Sequence, residues 1–160
     1  MFNRIKILTS FFILIFYSCG NDNILFIDYV DVNGSWEKEN EIKFSFESDT
    51  AILGDLSLII RNDSSYPFSN IYMITSIKNN NSITSDTINY SFENNNTKWY
   101  ELRSSGINSS IIPIKNSFKI SPGQFEFNVK HSIRYLDSIM PQIKLDGILD
   151  VGLVIEKTIK

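Results

Sequence analysis

The 160-residue chain contains one cysteine, one histidine and one alanine, at Cys19, His131 and Ala51. A lone cysteine excludes an internal disulfide and a thiolate zinc site, and a lone histidine leaves little for an imidazole-bound metal centre. Most metal and triad chemistry goes with them. The near absence of alanine starves helices, whereas heavy use of Ile and Asn favours strands and turns. No apolar run reaches the 18 residues of a spanning helix; the run from Ile7 to Tyr17 has eleven, interrupted by Thr9 and Ser10. Nor is there an excess of positive charge. The whole chain has 15 basic and 18 acidic residues, and removing residues 1–18 takes Arg4 and Lys6 with it, leaving 13 against 18, or −5. That balance argues against an electrostatic nucleic-acid footprint.

What is present begins with an address. Met1-Phe2-Asn3-Arg4-Ile5-Lys6 is a cationic n-region, the eleven-residue apolar run follows, and Ile15-Phe16-Tyr17-Ser18-Cys19-Gly20 ends it. A small residue directly before a cysteine at the end of such a run resembles a bacterial lipobox, although bulky Phe16 and Tyr17 stand where Leu and a small residue are usual. Cys19 is therefore expected to be cleaved to the N-terminus and acylated, anchoring the protein to a membrane without spanning it. The alternative is an ordinary secretory peptide with Cys19 incidental.

Cleavage before Cys19 leaves 142 residues, the length of one ordinary domain. Such a domain hides roughly 68–70% of its unfolded surface, and 42% apolar residues with 13% aromatics supply the core material. Alternation is cleanest at Ile42-Lys43-Phe44-Ser45-Phe46-Glu47 and recurs at Leu56 to Ile60, Ile71 to Ile77, Thr87 to Phe92, Phe118 to Ile120, Gln124 to Val129 and Leu149 to Ile155. Turn residues separate these runs at Asn33-Gly34, Asn79 to Ser82, Glu93 to Asn96 and Pro122-Gly123. The pattern predicts an all-β protein, an antiparallel β-sandwich of about seven to nine short strands behind a lipoprotein signal peptide. Only His131 to Met140 could hold a turn or two of helix before Pro141 stops it. The expected division is a signal peptide over 1–18, the lipidated cysteine and a short tether over 19–25, and a single domain over 26–160.

Candidate chemistry is sparse. Asp31-Val32-Asn33-Gly34 invites an EF-hand reading, but Tyr29 falls at the first ligand position and Asn40 at the last, so a tight hairpin turn is expected. Glu37, Glu39 and Glu41 would line one solvated strand edge, with weak calcium binding as the lesser alternative. Asp146 and Asp150 could pair for acid/base work, yet Gly147 and Gly152 suggest a bend entering a final strand. His131 has neither a Gly-x-Ser-x-Gly elbow nor an activated cysteine beside it and is expected at the surface or rim. Among Trp36, Tyr66, Phe68, Trp99 and Tyr100, most are expected to plug the core. Trp99 and Tyr100, between Asn-rich and Ser/Gly/Asn-rich sequence, are the candidate binding surface for a partner or a sugar ring.

Taken in order, several blocks resemble the gliding motility lipoprotein GldH family of the Bacteroidetes. They are Cys19, Gly34-Ser35-Trp36, Ile42 to Phe46, Ile60-Arg61-Asn62, Tyr66-Pro67-Phe68-Ser69-Asn70-Ile71, Asp86 to Tyr90, Trp99, Pro122 to Phe127, and Gly147 to Lys157. After Trp99, where relatives tend to carry a Gly-rich stretch with an aspartate, this chain reads Tyr100-Glu101-Leu102-Arg103-Ser104-Ser105-Gly106. The resemblance implies a cell-envelope lipoprotein of the gliding machinery, linked to type IX protein secretion, with no catalytic residues and no cofactor. Its implied partners are a membrane, through acylated Cys19, and other gliding or secretion proteins of the envelope, with the periplasmic side of the outer membrane favoured over the inner membrane. A lipid-anchored glycan-binding module is the alternative function. Asp49-Thr50-Ala51, Asp86-Thr87-Ile88 and Asp137-Ser138-Ile139 also resemble the O-glycosylation signal of exported proteins in this phylum.

Overall fold

Alternating side chains become a half-buried strand wherever one face can be covered. Along β3 (Ile42–Ser48), Ile42 and Phe44 are buried and Lys43, Ser45 and Glu47 are exposed. The same inward row continues on its antiparallel neighbour β8 (Gly123–His131), where Phe125, Phe127 and Val129 are buried. Beyond β8 lie β5 (Asn70–Asn79) and then β6 (Ser82–Ser91), which completes a four-stranded sheet in the order β3-β8-β5-β6.

The computed structural model describes residues 23–80, 82–92, 106–133 and 143–158. Over these residues the chain forms ten strands, all paired antiparallel, and no helix. A second four-stranded sheet has the order β1 (Ile24–Asp31), β10 (Ile148–Lys157), β4 (Ile52–Asn62) and β7 (Asn108–Ile120). A short ribbon joins β2 (Ser35–Glu37) to β9 (Lys144–Asp146). The two large sheets pack as a β-sandwich. Leu56, Leu58 and Ile60 of β4 and Val151, Leu153 and Ile155 of β10 share one core with Phe44, Ile71, Met73, Ile77, Phe125 and Phe127 of the facing sheet. Ring contacts cross between the sheets at Phe26–Phe46, with centroids 5.1 Å apart, and at Phe118–Phe125, 6.4 Å apart.

All seven predicted alternating runs fall on strands, Thr87 to Phe92 overrunning the end of β6 by one residue, but β7 starts ten residues before Phe118 and three strands were not anticipated. β1 begins at Ile24, inside the expected tether. Ile24-Leu25-Phe26-Ile27 reads as an apolar run because both faces of this edge strand carry apolar side chains. Phe26 packs on the core, while Ile27 and Tyr29 lie outward opposite Val154 and Gly152. β2 and β9 have three residues each, too few to show a period.

The sandwich has two unlike ends. At one end are the start of β1, the end of β10 and the short connections β3–β4, β5–β6 and β7–β8. At the other are β2, β9 and the long β4–β5 connection. Segments 93–105 and 134–142 both leave and re-enter the described chain at this second end, through Phe92 and Gly106 and through Ile133 and Ile143.

Candidate functional site

The second end is built around Gly147, which turns β9 into β10 with φ at 86°. A Cβ at this position would collide with the backbone N of Tyr66 and lie 2.7 Å from its Cα. Only glycine supplies both the left-handed backbone and the clearance. Its N–H donates to Gly34 O and its carbonyl accepts from Asp63 N–H, both at 2.9 Å. Ser35 Oγ donates to Asp146 Oδ1 at 2.9 Å, and Val32 N–H donates to Leu149 O at 3.0 Å. Ile148 pairs with Asn62 on the neighbouring strand and Tyr66 N–H donates to Asp63 O at 3.3 Å, so the sequence blocks 34–36, 60–62, 66–71 and 147–157 meet at one junction.

Asn33 and Gly34 make the expected tight turn, with φ of 55° and 76° and Asp31 Oδ1 accepting Asn33 N–H at 2.6 Å. The turn does not close a hairpin, because β2 pairs with β9 rather than with β1. Glu37, Glu39 and Glu41 are exposed, but they straddle the corner between β2 and β3 instead of lining one strand edge.

Trp36 is the plug beneath the junction. It is fully buried, and its indole Nε1–H donates to Asn40 O at 2.9 Å. Its ring meets His131 edge-on with centroids 5.4 Å apart. His131 is 1% exposed, which corrects the expectation of a surface or rim position. The Trp36 backbone approaches the imidazole closely enough to favour its proton, yet neither ring nitrogen has a partner in hydrogen-bond geometry among the described residues. Burial prevails and pushes the pKa down to about 4. The imidazole is thus a neutral packing group at ordinary pH.

The carboxylates of this end are engaged separately. Asp63 accepts from Ser65 Oγ at 2.6 Å and from Ser65 N–H at 2.8 Å, which holds its pKa below the usual carboxylate value. Asp146 is also held low, first by Ser35 and then by Lys144, whose Nζ lies 3.1 Å away. Asp150 moves the other way. Burial raises its pKa against the pull of Arg61, whose Nη1 lies 3.3 Å from Oδ2, and Asp31 adds to the rise. Asp146 and Asp150 thus lie on either side of the expected bend, each with its own basic partner. Their shifts have independent causes, and the contacts describe a charge-anchored turn. Asn62-Asp63-Ser64-Ser65 is a further turn of this end, unanticipated although it is built of the same residue types as the turns at Asn33 and Asn79.

Aromatic side chains continue the surface toward the Phe92 end of segment 93–105. Tyr66 meets Phe68 at 5.6 Å and Phe92 at 5.4 Å, and Phe92 meets Tyr90 at 5.5 Å, all edge-on. Tyr66 is buried, with its hydroxyl donating to Asn70 O at 2.9 Å and its pKa raised well above the usual phenol value by desolvation. Trp36 and Tyr66 are therefore core plugs, as expected of most members of the aromatic set. Trp99, Tyr100, Cys19, the triplet at Asp137 and the helical turn expected before Pro141 lie outside the described residues, except that His131 itself ends β8. Thr50 and Thr87 of the other two triplets are exposed, in the β3–β4 turn and on β6.

A sequence model of the family described as GldH lipoprotein matches residues 25–155. Among curated proteins, the chain is similar to a gliding motility lipoprotein GldH homolog of Christiangramia forsetii, 28% identical over 151 residues that cover 92% of each chain. It is also similar to the gliding motility lipoprotein GldH of Flavobacterium johnsoniae, 26% identical over 146 residues that cover 90% of this chain and 91% of the relative.

Proposed function

Because the chain belongs to the GldH lipoprotein family, we propose that it is a non-enzymatic component of gliding motility, acting through protein contacts in an envelope machinery coupled to type IX secretion. The observation that carries this reading is the span of the family match, which runs from β1 to near the end of β10 and so takes in both sheets and the Gly147 junction. Two relatives named as gliding motility lipoproteins are similar over 92% and 90% of the chain. Cys19 supplies the anchor, four residues before the first described residue. Acylation there holds the domain to a membrane, the periplasmic side of the outer membrane in this proposal.

The contact surface is the junction end. Its hydrogen bonds fix several chain segments in one rigid arrangement, and its carboxylates serve that arrangement rather than a reacting centre. Asp31, Glu37, Glu39, Asp63 and Asp146 set its charge against Lys38, Arg61 and Lys144, which suits a partner with a basic face. Trp99 and Tyr100 belong to a segment whose two described flanks, Phe92 and Gly106, are at this end, and they are proposed as contact residues.

Deleting the gene in a motile host tests the reading. Colony spreading should stop and the secreted adhesins should fall. A deletion strain that spreads and secretes like its parent would refute it.

A further inference from the structure

The end opposite the junction is where the chain leaves its anchor. Four residues lie between Cys19 and Ile24, so the covalent reach over the five residue steps from the acylated cysteine to the start of β1 is at most about 18 Å. The headgroup layer itself takes up roughly 5–7 Å of each side of a bilayer. A folded domain on so short a leash has to rest near the surface, and the remaining question is which part of it does.

Four large apolar side chains stand exposed at this end. Ile24 and Leu25 are each 38% exposed at the start of β1, Leu53 is 43% exposed near the start of β4, and Ile83 is 68% exposed near the start of β6. Leu25 Cδ1 lies 3.7 Å from the point where a Cβ on Gly54 would sit, on the face that carries Ile155, while Leu53, the residue before Gly54, points to the other face, so the two flank the same strand end from opposite sides. Ile83 marks the opposite corner, on the outer strand of the facing sheet. Lys119 is the strand partner of Leu53, Lys157 of Gly54 and Lys78 of Ile83, and none of the three is in an ion pair among the described residues. Glu47, Asp49, Asp55, Glu126 and Glu156 lie at the same end, Glu126 as the other strand partner of Lys78 and Asp55 as that of Glu156, so the aliphatic side chains and the short tether, and not charge, carry the contact.

We propose that this end lies against the headgroups of the anchoring bilayer, with Ile24, Leu25, Leu53 and Ile83 in contact with lipid; the proposal rests on acylation of Cys19. These exposed side chains are too few to hold a free domain at a membrane, but a tether of four residues raises their effective concentration at the surface and makes a weak contact persistent. The consequence is orientation. Lipid contact here points the Gly147 junction away from the bilayer, toward other envelope proteins.

Full-length acylated protein in phosphatidylethanolamine–phosphatidylglycerol vesicles tests this directly. Leu53→Cys and Ile83→Cys, each carrying an environment-sensitive fluorophore, are compared with Glu39→Cys at the junction end, using vesicles that contain a headgroup nitroxide lipid. Quenching several-fold stronger at both former positions than at the latter is expected. Equal quenching at all three, in protein that floats with the vesicles, overturns the orientation while leaving acylation intact. Protein that does not float overturns both readings.

Discussion

Gly147 concentrates more structural demand than any other described residue of the junction, since it has both a positive φ and a backbone neighbour where a side chain would go. Gly147→Ala is expected to lower unfolding free energy by about 2–5 kcal/mol, combining left-handed strain with overpacking, and urea unfolding measures it. Asn33→Gly, at a residue that already holds φ of 55°, should change stability little. His131 gives a pH signature. The folded state depresses its pKa from 6.5 to about 4, so below the unfolded value the unfolded chain binds a proton that the folded chain refuses. Stability should therefore fall as pH drops from about 6.5 to about 4, by roughly 3 kcal/mol from this group, and His131→Leu should flatten that part of the urea midpoint profile. The burial was legible in part. Phe125, Phe127 and Val129 set a period of two that, carried one step further, points His131 inward. The demand on Gly147 was not legible, because Tyr66 approaches it from a loop far away in sequence.

Among elements, alternation revealed the strands with one wet face and underestimated the rest. β10 is buried without interruption from Val151 to Ile155, because β1 and β4 flank it and the facing sheet covers its inner side. Such a strand has no polar row of its own, and only Asp150 and Gly152 break the apolar run that marks it at Leu149 to Ile155 in the sequence. The β2–β9 ribbon is invisible to any periodicity, but Trp36 ties it to the core. Trp36→Ala should cost about 3–5 kcal/mol as a buried aromatic is lost. Hydrogen exchange should then quicken at Lys38 N–H, which donates to Ile143 O at 2.7 Å, before it does at Phe127 in the middle of its sheet. Uniform quickening across both sheets would mean that the ribbon is not a separable clasp.

The whole molecule has two unlike ends, one of short turns where β1 starts, with Ile24, Leu25, Leu53 and Ile83 exposed, and one of hydrogen-bonded junction, aromatics and carboxylates, where Ile143 is exposed. Sequence blocks at 34–36, 60–62, 66–71 and 147–157 pointed to the family, yet only the fold shows that they converge on one end. The proposed role is that of a lipid-anchored domain serving surface gliding from the membrane. Colony spreading of a deletion strain complemented with either the wild-type chain or Cys19→Ser tests that claim most directly. The wild-type chain should restore spreading and Cys19→Ser, expressed to the same level, should not; full spreading with Cys19→Ser would contradict the account.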